Sequence, residues 1–134
     1  MTVILVDTSV WIDFIRPRST NAVDRLRAAL DHGIEAAVTP LIYQEVLQGA
    51  RDEQAFRDYR TFLSTQPFLH STDAVATHEG AARLYFECRR IGLTIRSSVD
   101  CLIAQTAVEH GVPLLHDNRD FERIATVAPK LEFA

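Results

Sequence analysis

With 134 residues, 47% of them hydrophobic and 24% charged, the chain is long enough to bury a core without disulfides or structural metal, and its 2 cysteines are too few for a disulfide scaffold. No apolar run approaches the ~20 residues of a membrane span, and the first residues hold neither a basic stretch nor a small-residue cleavage site, so a cytoplasmic protein with no membrane partner is expected. A net charge of −4 argues against non-specific binding along a polyanion as the main activity, but leaves room for a small nucleic-acid site.

Short β-type runs alternate with longer helical ones, which predicts an α/β fold in which helices cover a mostly parallel sheet. Residues 3–6, "VILV", form the first strand, and Thr8 or Ser9 can cap the helix carrying Trp11, Ile12 and Ile15, which ends near Pro17. A second helix runs from Asn21 to about His32, between Thr20 as cap and Gly33 as stop. "EAAVTP" gives a short strand, then Thr39 as N-cap and Pro40 at the first helical position start "LIYQEVLQG". A charged helix from about Asp52 to Ser64 precedes a strand in "PFLH", and "STDAVATHEGAARLYFECRRIG" reads as the longest helix. Ser97 and Asp100 have the spacing of a capping box, opening a helix that runs to His110 and stops at Gly111. "VPLLH" is a further buried strand, Asn118 can cap the closing helix "RDFERIA", and "LEF" is an edge strand. With no repeat and no dividing linker, residues 1–134 are expected to form one domain. Cys88 and Cys101 lack metal-ligand spacing, fall in apolar helical segments and are expected to be free buried thiols.

Four acids carry the chemistry. Asp7 and Asp117 follow strands directly, so each projects from the C-terminal sheet edge where open α/β sheets bind their ligands. Asp7 could equally be a helix cap. Helical projection places Glu45 between Leu41 and Ile42, on the apolar arc, with no basic residue one turn away. A buried carboxylate is costly unless compensated, so a metal or an arginine from elsewhere must serve Glu45. Asp100 lies between Ala104 and Ala107, opposite Ser98, Gln105 and Glu109, and those small neighbours leave space for a hydrated cation; its alternative is the Ser97 capping box. Carboxylates without paired histidines favour Mg²⁺ or Mn²⁺ over Zn²⁺, and such a site suits phosphodiester hydrolysis. His116, at a strand end beside the acids, reads as a positioning residue or a satisfied neighbour. Arg16, Arg18, Arg89, Arg90, Arg96 and Arg119 are candidates for substrate phosphate, with Arg96 foremost because it precedes the Asp100 helix.

"VDTSVWID", the isolated glutamate of "PLIYQEVLQGA", "TIRSSVDCLIAQTA" and "LLHDNRDFERIA" resemble, in that order and across essentially the whole chain, the motifs of PIN-domain ribonucleases, especially the VapC toxins of bacterial toxin–antitoxin pairs. The resemblance implies a PIN-like α/β/α sandwich and a metal-dependent endoribonuclease, the toxin of a type II pair. Asp7, Glu45 and Asp100 match the family's acidic positions, and Thr8 and Ser9 match its small hydroxyl residues. It also implies RNA as substrate, a homodimer, and inhibition by a small VapB-type antitoxin that blocks the acidic groove. The last motif departs from the pattern that related toxins often carry: "HDNRDF" has Asn118 where the first of two aspartates would fall, with Asp117 one position earlier and Asp120 at the second acidic position. The fourth ligand is thus open among Asp117, Asp120 and the neutral oxygen of Asn118. A catalytically inactive PIN-like module that binds metal or a partner is the alternative. Aspartyl-phosphate enzymes fit less well: position 9 is Ser where a haloacid dehalogenase-like site needs Asp, and the one lysine lies too late for a receiver domain.

Overall fold

Residues 2–134 are described by a computed structural model. Its elements, in chain order, are β1 (Val3–Val6), α1 (Thr8–Ile15), α2 (Asn21–Asp31), β2 (Glu35–Ala37), α3 (Pro40–Gln48), α4 (Glu53–Leu63), α5 (Ala74–Arg90), α6 (Ser98–His110), β3 (Leu114–Leu115) and α7 (Arg119–Val127). The strands make one open parallel sheet in the order β2-β1-β3. β1 pairs with β2 from Val3 opposite Glu35 to Leu5 opposite Ala37. By contacts the chain divides into two units, one running to Leu69 and including Leu115–Asp117, the other comprising His70–Leu114 and Asn118–Ala134.

In the first unit, Leu5, Val6, Val10, Leu26, Ile42 and Leu63 are buried around Trp11, whose ring meets Phe14 and Phe62 edge-on. Local chemistry sets the helix starts. The Thr20 hydroxyl accepts from Val23 N–H at 3.0 Å, Thr39 from Ile42 N–H at 3.1 Å with Pro40 behind it, and the Asp52 carboxylate from Ala55 N–H at 2.8 Å. α1 begins at Thr8 itself, so the N-cap position falls to Asp7 rather than to Thr8 or Ser9, and the Asp7 carboxylate makes no capping bond. "PFLH" contributes a single parallel bridge, Val38 to Phe68, rather than a strand; Pro67 has no N–H to extend the ladder and only its carbonyl pairs with Val38.

In the second unit, α5, α6 and α7 enclose Cys88, Ile95, Cys101, Ile103, Phe121 and Ile124, and both thiols are free and buried as expected. Burial raises both, Cys101 to about 12. α5 and α6 pass closely at Gly80, where an added Cβ would stand 2.6 Å from the Gln105 side-chain amide. Gly111 ends α6 at φ 62°, a left-handed conformation suited to glycine. The predicted capping box is absent: Ser97 is the N-cap but makes no side-chain capping bond, and the Asp100 carboxylate accepts from Asn118 instead. "VPLLH" shortens to two strand residues after Pro113, and "LEF" appears as a bridge from Phe133 to Leu114.

Candidate active site

β1 lies between β2 and β3, so strand order reverses at β1, and the crevice at its carboxyl end is where open parallel sheets bind ligands. Asp7 occupies that end. Its backbone N–H donates to Leu115 O at 3.0 Å, which anchors it to the strand whose continuation is His116 and Asp117. Its side chain is 5% exposed and accepts a hydrogen bond from the Ser9 hydroxyl at 3.0 Å. Burial holds the Asp7 pKa above the usual carboxylate range; the Ser9 hydroxyl and nearby Thr8 and Ser9 amides oppose that rise, while the negative charge of Glu45 adds to it.

Glu45 projects from α3 beside buried Ile42 and Val46 and is itself half-buried, as its place on the apolar arc requires. Its compensation is a hydroxyl: Thr8 Oγ1 donates to Glu45 Oε1 at 2.5 Å. Thr8 and Ser9, adjacent on the first turn of α1, thus each serve one carboxylate. Among the described residues no Lys, Arg or His forms a salt bridge with Asp7 or Glu45. Two carboxylates crowded without a cation are chemically suited to a hard divalent ion. His116 is half-buried and Asp117 is exposed at the end of β3.

In the second unit, Asp100 lies in the first turn of α6, on the side of buried Ala104 and Ala107. Its Oδ2 accepts from Asn118 Nδ2 at 3.0 Å. Asn118 caps α7 with its other end, Oδ1, which accepts from Asp120 N–H at 3.0 Å and from Arg96 Nη2 at 3.3 Å. Asp120 is fully buried and receives the Arg96 amide at 3.1 Å, Arg96 Nε at 3.3 Å and Arg123 Nη1 at 2.6 Å. Burial alone would raise the Asp120 pKa, but the Arg96 and Arg123 hydrogen bonds outweigh it and hold the carboxyl below its ordinary range. Arg96 keeps its side chain 75% exposed while anchored at two points.

Among the described residues, no three His, Cys, Asp or Glu side chains form a group placed to hold a metal ion. Each unit instead contributes an ordered acidic cluster. Arg123 was not singled out from sequence; its spacing of three residues from Asp120 on one helix was the available signal. The Asn118 bridge had no sequence signal. Of the other candidate arginines, Arg16 donates to the Gly49 carbonyl, Arg18 lies 3.7 Å from Asp13, Arg89 covers Tyr85, and Arg90 pairs with Glu87.

A parallel sheet with an acid at its reversal point, and acids at each remaining motif, define an α/β protein with a candidate acidic site. The PIN domain model matches residues 4–127, and the chain belongs to the PIN-domain family. Within the family it is similar to VapC proteins. It is 34% identical to Ribonuclease VapC11 of Mycobacterium tuberculosis and to a VapC ribonuclease of Mycobacterium bovis, over 92% of this chain and 92% of each relative. Solved structures share the fold. A VapBC2 complex from Rickettsia felis, bound to a promoter DNA fragment, superposes with a TM-score of 0.74 at 21% identity, over 99% of this chain and 98% of that one. VapBC-1 from nontypeable Haemophilus influenzae gives 0.73 at 20% identity, over 99% and 97%.

Proposed function

We propose that the protein is a VapC-type endoribonuclease, the toxin of a type II toxin–antitoxin pair, working as one PIN-like domain. The observation that carries this reading is Asp7: a buried carboxylate at the strand-order reversal, raised in pKa by burial and crowded by Glu45, with no basic residue in salt-bridge range of either among the described residues. The identity with VapC ribonucleases across 92% of the chain supports RNA as the substrate.

In this reading the acids Asp7, Glu45, Asp100 and Asp117 would serve Mg²⁺ or Mn²⁺, an ion that binds through few protein carboxylates. When bound, such an ion would supply activation of water and stabilisation of charge on the leaving oxygen. Thr8 and Ser9 hold Glu45 and Asp7 in place, so that neither carboxylate must reorganise as charge develops. Arg96, pinned by Asp120 and Asn118, presents its remaining N–H groups to a substrate phosphate, and His116 lines the same strand end as Asp117. Asp120, with both oxygens taken by arginines, serves as the buttress of Arg96. The partners are RNA, a VapB-type antitoxin and a second copy of the chain, in the cytoplasm; no helix of the described residues is long and apolar enough to cross a membrane.

The test is cleavage of a mixed pool of structured RNAs by the purified chain with Mn²⁺, Mg²⁺ or EDTA, compared with Asp7→Asn. Discrete cuts that vanish with EDTA and in the variant are expected; cutting by Asp7→Asn at the wild-type rate contradicts the reading.

A further inference from the structure

Asn118 lies in the last of the four motifs, and its surroundings say what the amide does there. An asparagine has one accepting and one donating end, and the two are told apart by partners of known character. The Asp120 N–H and the Arg96 guanidinium can only donate, and both meet the same Asn118 atom, at 3.0 and 3.3 Å, which is therefore Oδ1. That leaves Nδ2 at 3.0 Å from Asp100 Oδ2, where it donates to a carboxylate oxygen. Three neighbours thus agree on one orientation. An Oδ1 already accepting from a helix amide and a guanidinium is poorly disposed to serve a cation as well.

We propose that Asn118 is a positioning residue, not a metal ligand: through Nδ2 it fixes the Asp100 carboxylate, and through Oδ1 it fixes the Arg96 guanidinium. The proposal rests on the metal-dependent reading of Asp100 given above. An aspartate at this position would face the Asp100 carboxylate with like charge at hydrogen-bond distance, a repulsion that only a cation or proton relieves. The amide replaces that repulsion with a hydrogen bond and holds Asp100 ready before the ion arrives. One side chain then coordinates two tasks, orienting a ligand and aiming the phosphate-binding arginine.

Serine is a good N-cap but lacks the amide donor, so Asn118→Ser keeps the start of α7 while releasing Asp100. Wild type, Asn118→Ser, Asp100→Ala and the double variant are titrated with Mn²⁺, with free ion followed by electron paramagnetic resonance and thermal midpoints recorded alongside. Removing a group that orients a metal ligand weakens binding on the order of tenfold. That loss is expected in the wild-type background and is expected to disappear in Asp100→Ala. Equal losses in both backgrounds would make Asn118 a ligand in its own right, and no loss in either would leave it a helix cap; each overturns the proposal. Should Asp100→Ala bind Mn²⁺ too weakly to titrate, the Asn118 side-chain amide of metal-free ¹⁵N-labelled protein decides. A downfield amide proton that moves on Asp100→Ala supports the positioning role, and one that is unaffected refutes it. A wild-type chain that binds no Mn²⁺ refutes the metal reading instead, and the amide resonance still judges the Asn118–Asp100 link separately.

Discussion

Asp7 and Asp120 are both buried carboxylates, and their surroundings shift them in opposite directions. Asp120 receives two arginines and a backbone amide, so its folded pKa is depressed. Its stabilisation is present above the unfolded value of ~3.9 and is lost as pH falls through the lower folded value. Asp120→Asn is expected to cost about 1–3 kcal/mol at neutral pH. It should also flatten the acid limb of a stability–pH profile, read by urea unfolding between pH 2 and pH 7, values on the order of those bracketing the transition. Asp7 behaves inversely: with its folded pKa raised, stability declines as pH rises from the unfolded value through the folded one, because the charged form is penalised in the native state. Asp7→Asn removes that penalty, so the apo variant should melt at or above wild type while losing RNA cleavage. A fall in its melting temperature comparable to that of a core truncation would contradict this account of the site. Arg96→Gln is expected to raise KM for RNA with little change in kcat, since it removes phosphate binding and leaves the acids in place.

At the scale of elements, much of the chain could be read in advance because local chemistry decides it. Thr20, Thr39 and Asn118 cap the helices they were expected to cap, and Gly111 ends α6 in a left-handed turn. Gly111→Ala should therefore cost about 1–2 kcal/mol, measured by denaturant unfolding, with activity unchanged at saturating substrate. Where the reading failed, a longer-range partner prevailed over local pattern. In place of the Ser97 capping box, the Asp100 carboxylate accepts from Asn118, 18 residues away. The strand predicted in "PFLH" reduced to a bridge, and that in "VPLLH" to two residues, each beside a proline that cannot donate to a ladder. Glu45 shows both limits at once: helical periodicity placed it on the apolar arc, but periodicity contains no information about the Thr8 hydroxyl, 37 residues away, that satisfies it.

For the whole molecule, a net charge of −4 argues against non-specific binding along a polyanion and leaves room for a small nucleic-acid site. Asp7, Asp100, Asp117 and Asp120 could be singled out because they lie at element boundaries, and Glu45 because it falls on the apolar arc of α3. The departure at Asn118 was legible too, although its hydrogen bonds were not. The central claim is that these acids serve metal-dependent RNA hydrolysis. The most direct test is incubation of the purified, antitoxin-free chain with a broad pool of structured RNAs in Mn²⁺ or Mg²⁺ and in EDTA, alongside Asp100→Asn. Discrete cuts that disappear with EDTA and with the variant are predicted. A folded, metal-loaded wild-type chain that leaves the whole pool intact would contradict the account and point to an inactive PIN-like binding module.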